Sequence, residues 1–212
     1  MQILVIAATE MEIAPFLESY PAAHYLITGV GAATSVYKLT KHIQHFDYDC
    51  IIQVGIAGSF STTLFPGETV FIKQDCFADV GAIEKNEFKS LFDMNLANAD
   101  EDEFQNGWLV NNNLNKFGML NKEVNAITVN LLSDNSEYIK LLHSKYNADV
   151  ESMEGAVLHY VCLHEKIPFI QIRGISNYVG ERDKSKWKMK EAIESSNKTL
   201  IELYKRYTSE IN

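Results

Sequence analysis

The segment 148–175, ADVESMEGAVLHYVCLHEKIPFIQIRGI, decides the fold class because it holds a strand, a helix and a second strand in succession. Ala148–Glu151 has the length of a strand, and Met153–His164 has apolar residues at helical spacing. Pro168 ends this helix before the apolar strand Phe169–Ile175. A strand, a helix and another strand form the unit from which parallel sheets are built. We therefore expect an α/β protein with a largely parallel sheet.

The same alternation of short apolar runs and longer helical segments covers most of the remaining chain. Further strands are predicted at Ile3–Ala8, His24–Thr28, Cys50–Val54, Thr69–Ile72 and Ala126–Leu131. Further helices are predicted at Ala32–Phe46, Ser136–Tyr146 and about Trp187–Tyr207. Lys85–Asn106 departs from this pattern because it is rich in Asn, Asp and Glu, and we expect it to form a solvated loop or flap.

Length and composition predict one folded unit with a small partner. The chain has 212 residues, of which 46% are hydrophobic, so it can bury one sizeable core and we expect residues 1–212 to form a single domain. The formal net charge of -9 repels nucleic acid. No apolar run approaches the roughly 20 residues that span a bilayer. We therefore expect a small-molecule ligand and neither a nucleic-acid nor a membrane partner.

Cysteine usage and the first residues favour a cytoplasmic protein. The opening MQILVI lacks the basic region of an export signal and is typical of a first strand. Cys50, Cys76 and Cys162 are widely spaced among apolar neighbours, as expected for reduced thiols in a core. The six histidines share no ligand spacing with Asp, Glu or Cys. No metal site and no other cofactor is therefore expected.

Four stretches that follow predicted strands are candidates for the binding site. In an open α/β sheet the ligand lies outside the carboxyl ends of the strands. The stretches are Thr9–Glu12, Gly55–Gly58, Glu151–Gly155 and Arg173–Asn177. Another stretch, Gly29–Thr34, lacks the third glycine of a dinucleotide motif and follows the second strand, so it indicates a turn.

Glu12 permits two interpretations. Thr9-x-x-Glu12 is a capping-box pattern, in which the carboxylate only satisfies the start of a helix. Pro15 speaks against that start, because it would lie in the second turn, whereas a helix that begins near Ala14 would have it at its first position. Glu12 would then lie in a loop, free to act as a general base. The residues alone leave both interpretations open.

Glu154 also permits two interpretations. An acidic residue at a helix start gains typically about 0.3–1 kcal/mol from the helix dipole, which requires no function. The small residues Gly155 and Ala156 allow close packing where the strand passes into the helix. That packing leaves the carboxylate facing the ligand edge of the sheet, where it would serve a bound substrate.

Together, these stretches resemble the superfamily of nucleoside phosphorylases and nucleosidases along nearly the whole chain. The specific parts are the first strand followed by Glu12, the turn Val54–Gly58, and the segments Val150–Cys162 and Arg173–Asp183. The last two are similar to the futalosine hydrolase branch, whose members remove hypoxanthine from futalosine in menaquinone biosynthesis. The resemblance implies a three-layer α/β/α sandwich around a mixed, twisted central sheet, and a homo-oligomer, most simply a dimer.

The resemblance also implies roles at the sugar end of a purine nucleoside. Glu12 would activate the attacking water, and Glu154 would hold the ribose hydroxyls. Met153 would pack beneath the sugar, and Arg173 would orient the acidic cluster. The methylthioadenosine/S-adenosylhomocysteine nucleosidases have a methionine where this chain has Thr9, and a serine where it has Ile56, so its sugar environment differs.

At the base end, the resemblance implies that Ser176 and Asn177 position the leaving purine and assist its departure. Trp187 would close over the base, and Ala57 and Gly58 would line the same site. Adenine-specific relatives have aspartate where this chain has Asn177. An amide offers a donor to the 6-oxo group of hypoxanthine and an acceptor to a protonated N7, so Asn177 suits a 6-oxopurine.

Three other functions compete with a 6-oxopurine nucleosidase. A phosphorylase would bind phosphate through arginine, but Arg173, Arg182 and Arg206 all lie in the last forty residues or so. The other two are an adenine-specific nucleosidase and a nucleoside-binding module without catalysis. The presence of Glu12 and Glu154 together favours an enzyme over the binding module.

Overall fold

The structure is a computed structural model and describes residues 1–118 and 122–209. Its strands are β1 (Ile3–Ala7), β2 (His24–Ile27), β3 (Cys50–Ser59), β4 (Thr69–Asp75), β5 (Gly81–Glu84), β6 (Glu87–Ser90), β7 (Phe104–Gln105), β8 (Trp108–Val110), β9 (Glu123–Thr128), β10 (Val150–Ser152) and β11 (Phe169–Tyr178). Its α-helices are α1 (Glu10–Ser19), α2 (Ala32–Ile43), α3 (Ser136–Tyr146), α4 (Gly155–His164) and α5 (Met189–Ser209). Short 3-10 helices span Leu114–Phe117 and Lys184–Lys186.

Most strands form one mixed sheet, which confirms the α/β class and the mixed sheet. Strands β2, β1 and β3 are parallel, and β11 runs parallel to β3 on its other side. Strand β11 also pairs with β4, β4 with β9, β9 with β10, and β10 with β3. These five strands therefore pair in a closed circuit.

Helices pack against both faces of β1 because its side chains alternate. Ile3 and Val5 face a core that includes α1 and α5, whereas Leu4 and Ile6 face a core that includes α2 and α4. The three cysteines are buried and unpaired within the described residues, as predicted. Among the described helices, none is long and apolar enough to cross a membrane.

The segment Lys85–Asn106 is more structured than its composition predicts, so its interpretation as a solvated loop was wrong in part. Strands β5 and β6 form a hairpin whose turn residues, Lys85 and Asn86, both have positive φ, at 52° and 64°. Asparagine tolerates this conformation, which matches the twist of a hairpin. Phe92 and Phe104 pack together with their ring centroids 5.3 Å apart. Part of this acidic segment therefore forms regular structure.

Helix α1 begins at Glu10 and contains Pro15, so of the two starts that the residues left open, the one near Ala14 is wrong. The reason is a contact from far along the chain. The buried amide of Asn197 accepts a hydrogen bond from the backbone N–H of Phe16 at 3.1 Å and donates one to the backbone oxygen of Glu12 at 2.8 Å. Asn197 thus satisfies both backbone groups beside the proline, and the helix continues through it.

Replacing Asn197 with leucine should reveal the strength of this contact. Asn197→Leu keeps the approximate size of the side chain but leaves two buried backbone groups without a partner, each worth about 1–3 kcal/mol. We expect a loss of at least about 2 kcal/mol in the free energy of unfolding, measured with chemical denaturant.

A second variant provides the control, because Pro15→Ala lets the helix close its own hydrogen bonds. In a double-mutant cycle, Pro15→Ala should recover part of the stability lost by Asn197→Leu. Strictly additive effects would show that Asn197 does not compensate for the proline.

Candidate active site

A cavity of about 340 Å³ is lined by residues that lie in the last part of β1, β3, β10 and β11 or soon after these strands. All the predicted site residues except Arg173 line it, namely Thr9, Glu12, Ile56, Ala57, Gly58, Met153, Glu154, Ser176, Asn177 and Trp187. A cavity of this size suits a small organic ligand. The four sequence stretches therefore form one site, although they lie far apart in the chain.

Glu12 combines the two interpretations that the sequence left open. Its Oε2 atom accepts hydrogen bonds from the backbone N–H of Thr9 at 3.0 Å and from the Thr9 hydroxyl at 2.8 Å, which completes a capping box. Its Oε1 atom accepts a bond from the backbone N–H of Ile56 at 3.1 Å. The carboxylate also lines the cavity. The helix cap therefore fixes the position of an acidic group that faces the ligand.

Glu154 lies opposite, at the start of α4, but its side chain does not cap that helix. Its Oε1 atom instead accepts a hydrogen bond from the backbone N–H of Gly31 at 2.9 Å. Burial raises the pKa of Glu154, while the charge of Arg173 and the bond from Gly31 lower it; the negative charge of Glu12 also raises it. The charge of Glu12 thus acts on Glu154 within the same site.

Ser176 and Asn177 owe their placement to an irregularity in β11. The pairing of β11 with β3 shifts by one residue between Ile175 and Asn177, so Ser176 is an extra residue in the strand. Such bulges redirect side chains and are frequent beside binding sites. The Ser176 hydroxyl donates to Asn177 Oδ1 at 2.7 Å, and Asn177 Nδ2 donates to the backbone oxygen of Tyr178 at 2.9 Å. Both the oxygen and the nitrogen of the Asn177 amide are therefore held by hydrogen bonds.

Arg173, which was expected to orient the acidic cluster and was counted among the substrate-binding residues, does not line the cavity. Its side chain is among the largest that are fully buried, and its Nε and Nη2 atoms have no hydrogen-bond partner among the described residues. It forms no ion pair within 4.0 Å in the described parts of the chain. Its effect on Glu154 is therefore electrostatic, through its charge alone.

Gly55 explains how Arg173 approaches the acidic groups from beneath. A Cβ atom at Gly55 would overlap Arg173 Nη1 and would lie 2.9 Å from Glu12 Oε1. Only a residue without a side chain leaves room for these two groups. A glycine in β3 therefore brings the buried guanidinium close to the carboxylate of the cavity.

The outer wall of the cavity is the loop between β11 and α5. The Trp187 indole N–H donates to the backbone oxygen of Glu181 at 2.9 Å, and Arg182 lies over the Trp187 ring at 5.4 Å from its centroid. Glu181 also forms an ion pair with Lys186 at 2.8 Å. The loop thus presents an aromatic ring and a cation to the cavity.

Sequence reasoning gave no role to Glu151, which also lines the cavity. Burial raises its pKa to about 7, and the charge of Arg182 opposes that rise. The available signal was its position in Glu151–Gly155, a stretch already identified as a candidate for the site. Its pairing with Gly58 is visible only in the structure. Met11, Val30, Leu132 and Ser133, which add mostly apolar surface to the cavity, were missed as well.

The chemistry of the cavity is that of carboxylates and amides. Within residues 1–118 and 122–209, His, Cys, Asp and Glu side chains form no group of three or more that could hold a metal ion. Carboxylates at one end can accept a proton or stabilise positive charge, while the amide of Asn177 can orient a polar ring.

Comparison with known proteins places this geometry in a family. A model described as the phosphorylase superfamily matches residues 23–209. A futalosine hydrolase of Thermus thermophilus is 28% identical over 205 residues, which cover 90% of this chain and 89% of that protein.

Solved structures show the same fold. A Helicobacter pylori futalosine hydrolase superposes with a TM-score of 0.79 and 20% identity, over 96% of this chain and 97% of that one. A Helicobacter pylori 5′-methylthioadenosine/S-adenosylhomocysteine nucleosidase superposes with a TM-score of 0.80 and 18% identity, over the same shares. The chain therefore belongs to the phosphorylase superfamily.

Proposed function

We propose that this protein is a purine nucleosidase that hydrolyses the N-ribosidic bond of futalosine and releases hypoxanthine and dehypoxanthine futalosine. The observation that carries the proposal is the amide of Asn177, held in a cavity that also contains Glu12 and Glu154. The similarity to the futalosine hydrolase of Thermus thermophilus supports the choice of substrate.

At the sugar end, the two carboxylates suit an oxocarbenium-like transition state. As the bond from C1′ to the purine breaks, positive charge develops on the ribose ring, and nearby carboxylates stabilise it. Glu12 accepts a proton from the water that attacks C1′, and Glu154 holds the ribose hydroxyls. General-base assistance of this kind typically contributes a factor of about 10² to 10⁴.

At the base end, the remaining hydrogen-bonding capacity of Asn177 matches a 6-oxopurine. One N–H of the amide bonds to Tyr178 and one lone pair of Oδ1 accepts from Ser176, which leaves one donor and one acceptor. The donor suits the 6-oxo group of hypoxanthine, and the acceptor suits a protonated N7. A 6-aminopurine would place its amino group against the amide donor, which disfavours the adenine-specific alternative.

Hydrolysis is favoured over phosphorolysis by where the cations lie. Arg182 and Lys184 belong to the loop that forms the outer wall of the cavity. Arg173, by contrast, is buried and does not line the cavity, and Arg206 lies in the last turn of α5. Lys38, on α2, donates to the backbone oxygen of Ile27 at 3.1 Å rather than to the cavity. Ribose 1-phosphate products in the presence of phosphate would overturn the choice of water.

The outer wall of the cavity contains two cations that suit the 5′ side of futalosine. Arg182 and Lys184 line the cavity, and the 5′ side of futalosine carries an aryl carboxylate. Arg182→Met should raise KM for futalosine while leaving KM for inosine unchanged, because inosine lacks that carboxylate. Steady-state kinetics on both nucleosides would measure this; an equal change for both would exclude direct recognition of the carboxylate.

Glu12→Gln tests the general base. Glutamine is accepted at the third position of a capping box, so the helix start should remain intact. It cannot accept the proton of water, so turnover should fall at least about a hundredfold with KM nearly unchanged. Glu10→Gln is the matched control, since it removes an acidic residue from the same helix turn without touching the cavity. Unchanged turnover in Glu12→Gln would show that Glu12 is only a cap.

Asn177→Asp tests the recognition of the base and the proposed function together. Wild-type protein, incubated with futalosine, inosine, methylthioadenosine and adenosine, should release hypoxanthine from futalosine and scarcely cleave methylthioadenosine. The carboxylate of Asn177→Asp should shift the ratio of kcat/KM toward adenine by roughly 2 kcal/mol, about a factor of thirty. A wild-type preference for methylthioadenosine would make the adenine-specific nucleosidase the better assignment.

A further inference from the structure

Glu151 is a buried carboxyl group at the purine end of the cavity. Its backbone pairs with that of Gly58 in the antiparallel ladder between β10 and β3. A Cβ atom at Gly58 would lie 3.5 Å from Asn177 Nδ2 and 3.6 Å from Glu151 Cγ. The two side chains therefore flank the same glycine. Since Asn177 is assigned to the base in the proposed function, Glu151 lies at the same end as the base.

The proposed hydrolysis, on which this inference rests, needs a proton donor at that end. The purine leaves with the electron pair of the broken bond and is a poor leaving group unless it is protonated. An amide cannot release a proton near neutral pH, so Asn177 can only orient the ring. The Ser176 hydroxyl is directed to Asn177 Oδ1 and to the backbone oxygen of Ala57.

We propose that Glu151 is the general acid that protonates the departing purine, whereas Asn177 orients the ring. The bond between C1′ and N9 breaks, and its electron pair passes to the purine. The proton of the Glu151 carboxyl group passes to N7. Water attacks C1′ and gives its proton to the Glu12 carboxylate, so the products are neutral hypoxanthine and the free sugar. Proton exchange with solvent returns both carboxyl groups to their starting states.

The surroundings of Glu151 support this role. Burial raises its pKa to about 7, so a large fraction of the carboxyl groups holds a proton at neutral pH. The Arg182 guanidinium, from the loop after β11, acts on this group, and the charge of Glu151 in turn helps to raise the pKa of the Tyr138 phenol on α3, after burial. Arg182 favours the carboxylate and so helps the acid to give up its proton.

A substrate that needs no proton distinguishes this role from a structural one. N7-methylated futalosine already carries a positive charge on its purine, so it can leave without an acid. Glu151→Gln keeps the shape of the side chain but has no proton to give. Its kcat should fall at least about a hundredfold with futalosine and no more than a few-fold with the N7-methylated form, each relative to wild-type protein on the same substrate.

The pH profile gives a second readout. Wild-type kcat with futalosine should fall as the pH rises through the pKa of the Glu151 carboxyl group, because only the protonated form acts. This basic limb should be absent from Glu151→Gln. Glu137→Gln is the control, because Glu137 is an exposed glutamate in the first turn of α3. It should retain the wild-type rate and profile.

The outcomes separate the two proposals. Equal losses with both substrates, or a raised KM with unchanged kcat, would show that Glu151 shapes the cavity or binds the base and would overturn the inference. Wild-type cleavage of futalosine with full activity in Glu151→Gln would overturn the inference alone. Wild-type protein that releases no hypoxanthine from futalosine would overturn both proposals.

Discussion

The contact between Asn197 and helix α1 is the constraint on which the geometry of the cavity depends. Pro15 interrupts the hydrogen bonding of α1, and the Asn197 amide from α5 supplies the missing partners to Glu12 and Phe16. Without it, the backbone oxygen of Glu12 and the backbone N–H of Phe16 would lose a buried partner beside the proline. The last helix of the chain therefore determines where the first acidic group of the site stands.

The carboxylates of Glu12 and Glu154 are held by backbone hydrogen bonds rather than by an ion pair. Glu12 accepts bonds from the backbone of Thr9 and Ile56, and Glu154 accepts one from Gly31. The buried Arg173 contributes charge from beneath without an ion pair. Backbone donors cannot rotate away as side chains can, so this arrangement keeps the carboxylates in place while the cavity stays open to a ligand.

Sequence reasoning predicted the order of most strands and helices because the apolar patterns of β1, β11 and α4 are strong and local. Ten of the eleven predicted site residues also line the cavity, since most of them follow a strand at the ligand edge. Sequence reasoning failed where a distant contact overrides a local rule. Pro15 spoke against the early helix start, but the side chain that compensates for it is Asn197, which lies 181 residues after its partner Phe16. Gly55 and Gly58 suggested the end of β3, yet the strand continues to Ser59 because β10 and β11 pair with it. The sequence identified Arg173 as part of the site, but it did not reveal that the side chain is fully buried and does not line the cavity.

The double role proposed for Glu12 links protonation of its carboxylate to the N-terminal cap of α1. The two oxygens of this carboxylate accept three hydrogen bonds, two of them from Thr9. In the proposed mechanism, Glu12 takes a proton from water; the protonated carboxyl group accepts fewer hydrogen bonds, so the start of the helix is held less firmly. The full set of capping hydrogen bonds forms again only when the proton leaves, so the helix favours the deprotonated carboxylate. In the proposed mechanism one residue is both the helix cap and the base, so the cap has to form again in the empty site during every turnover.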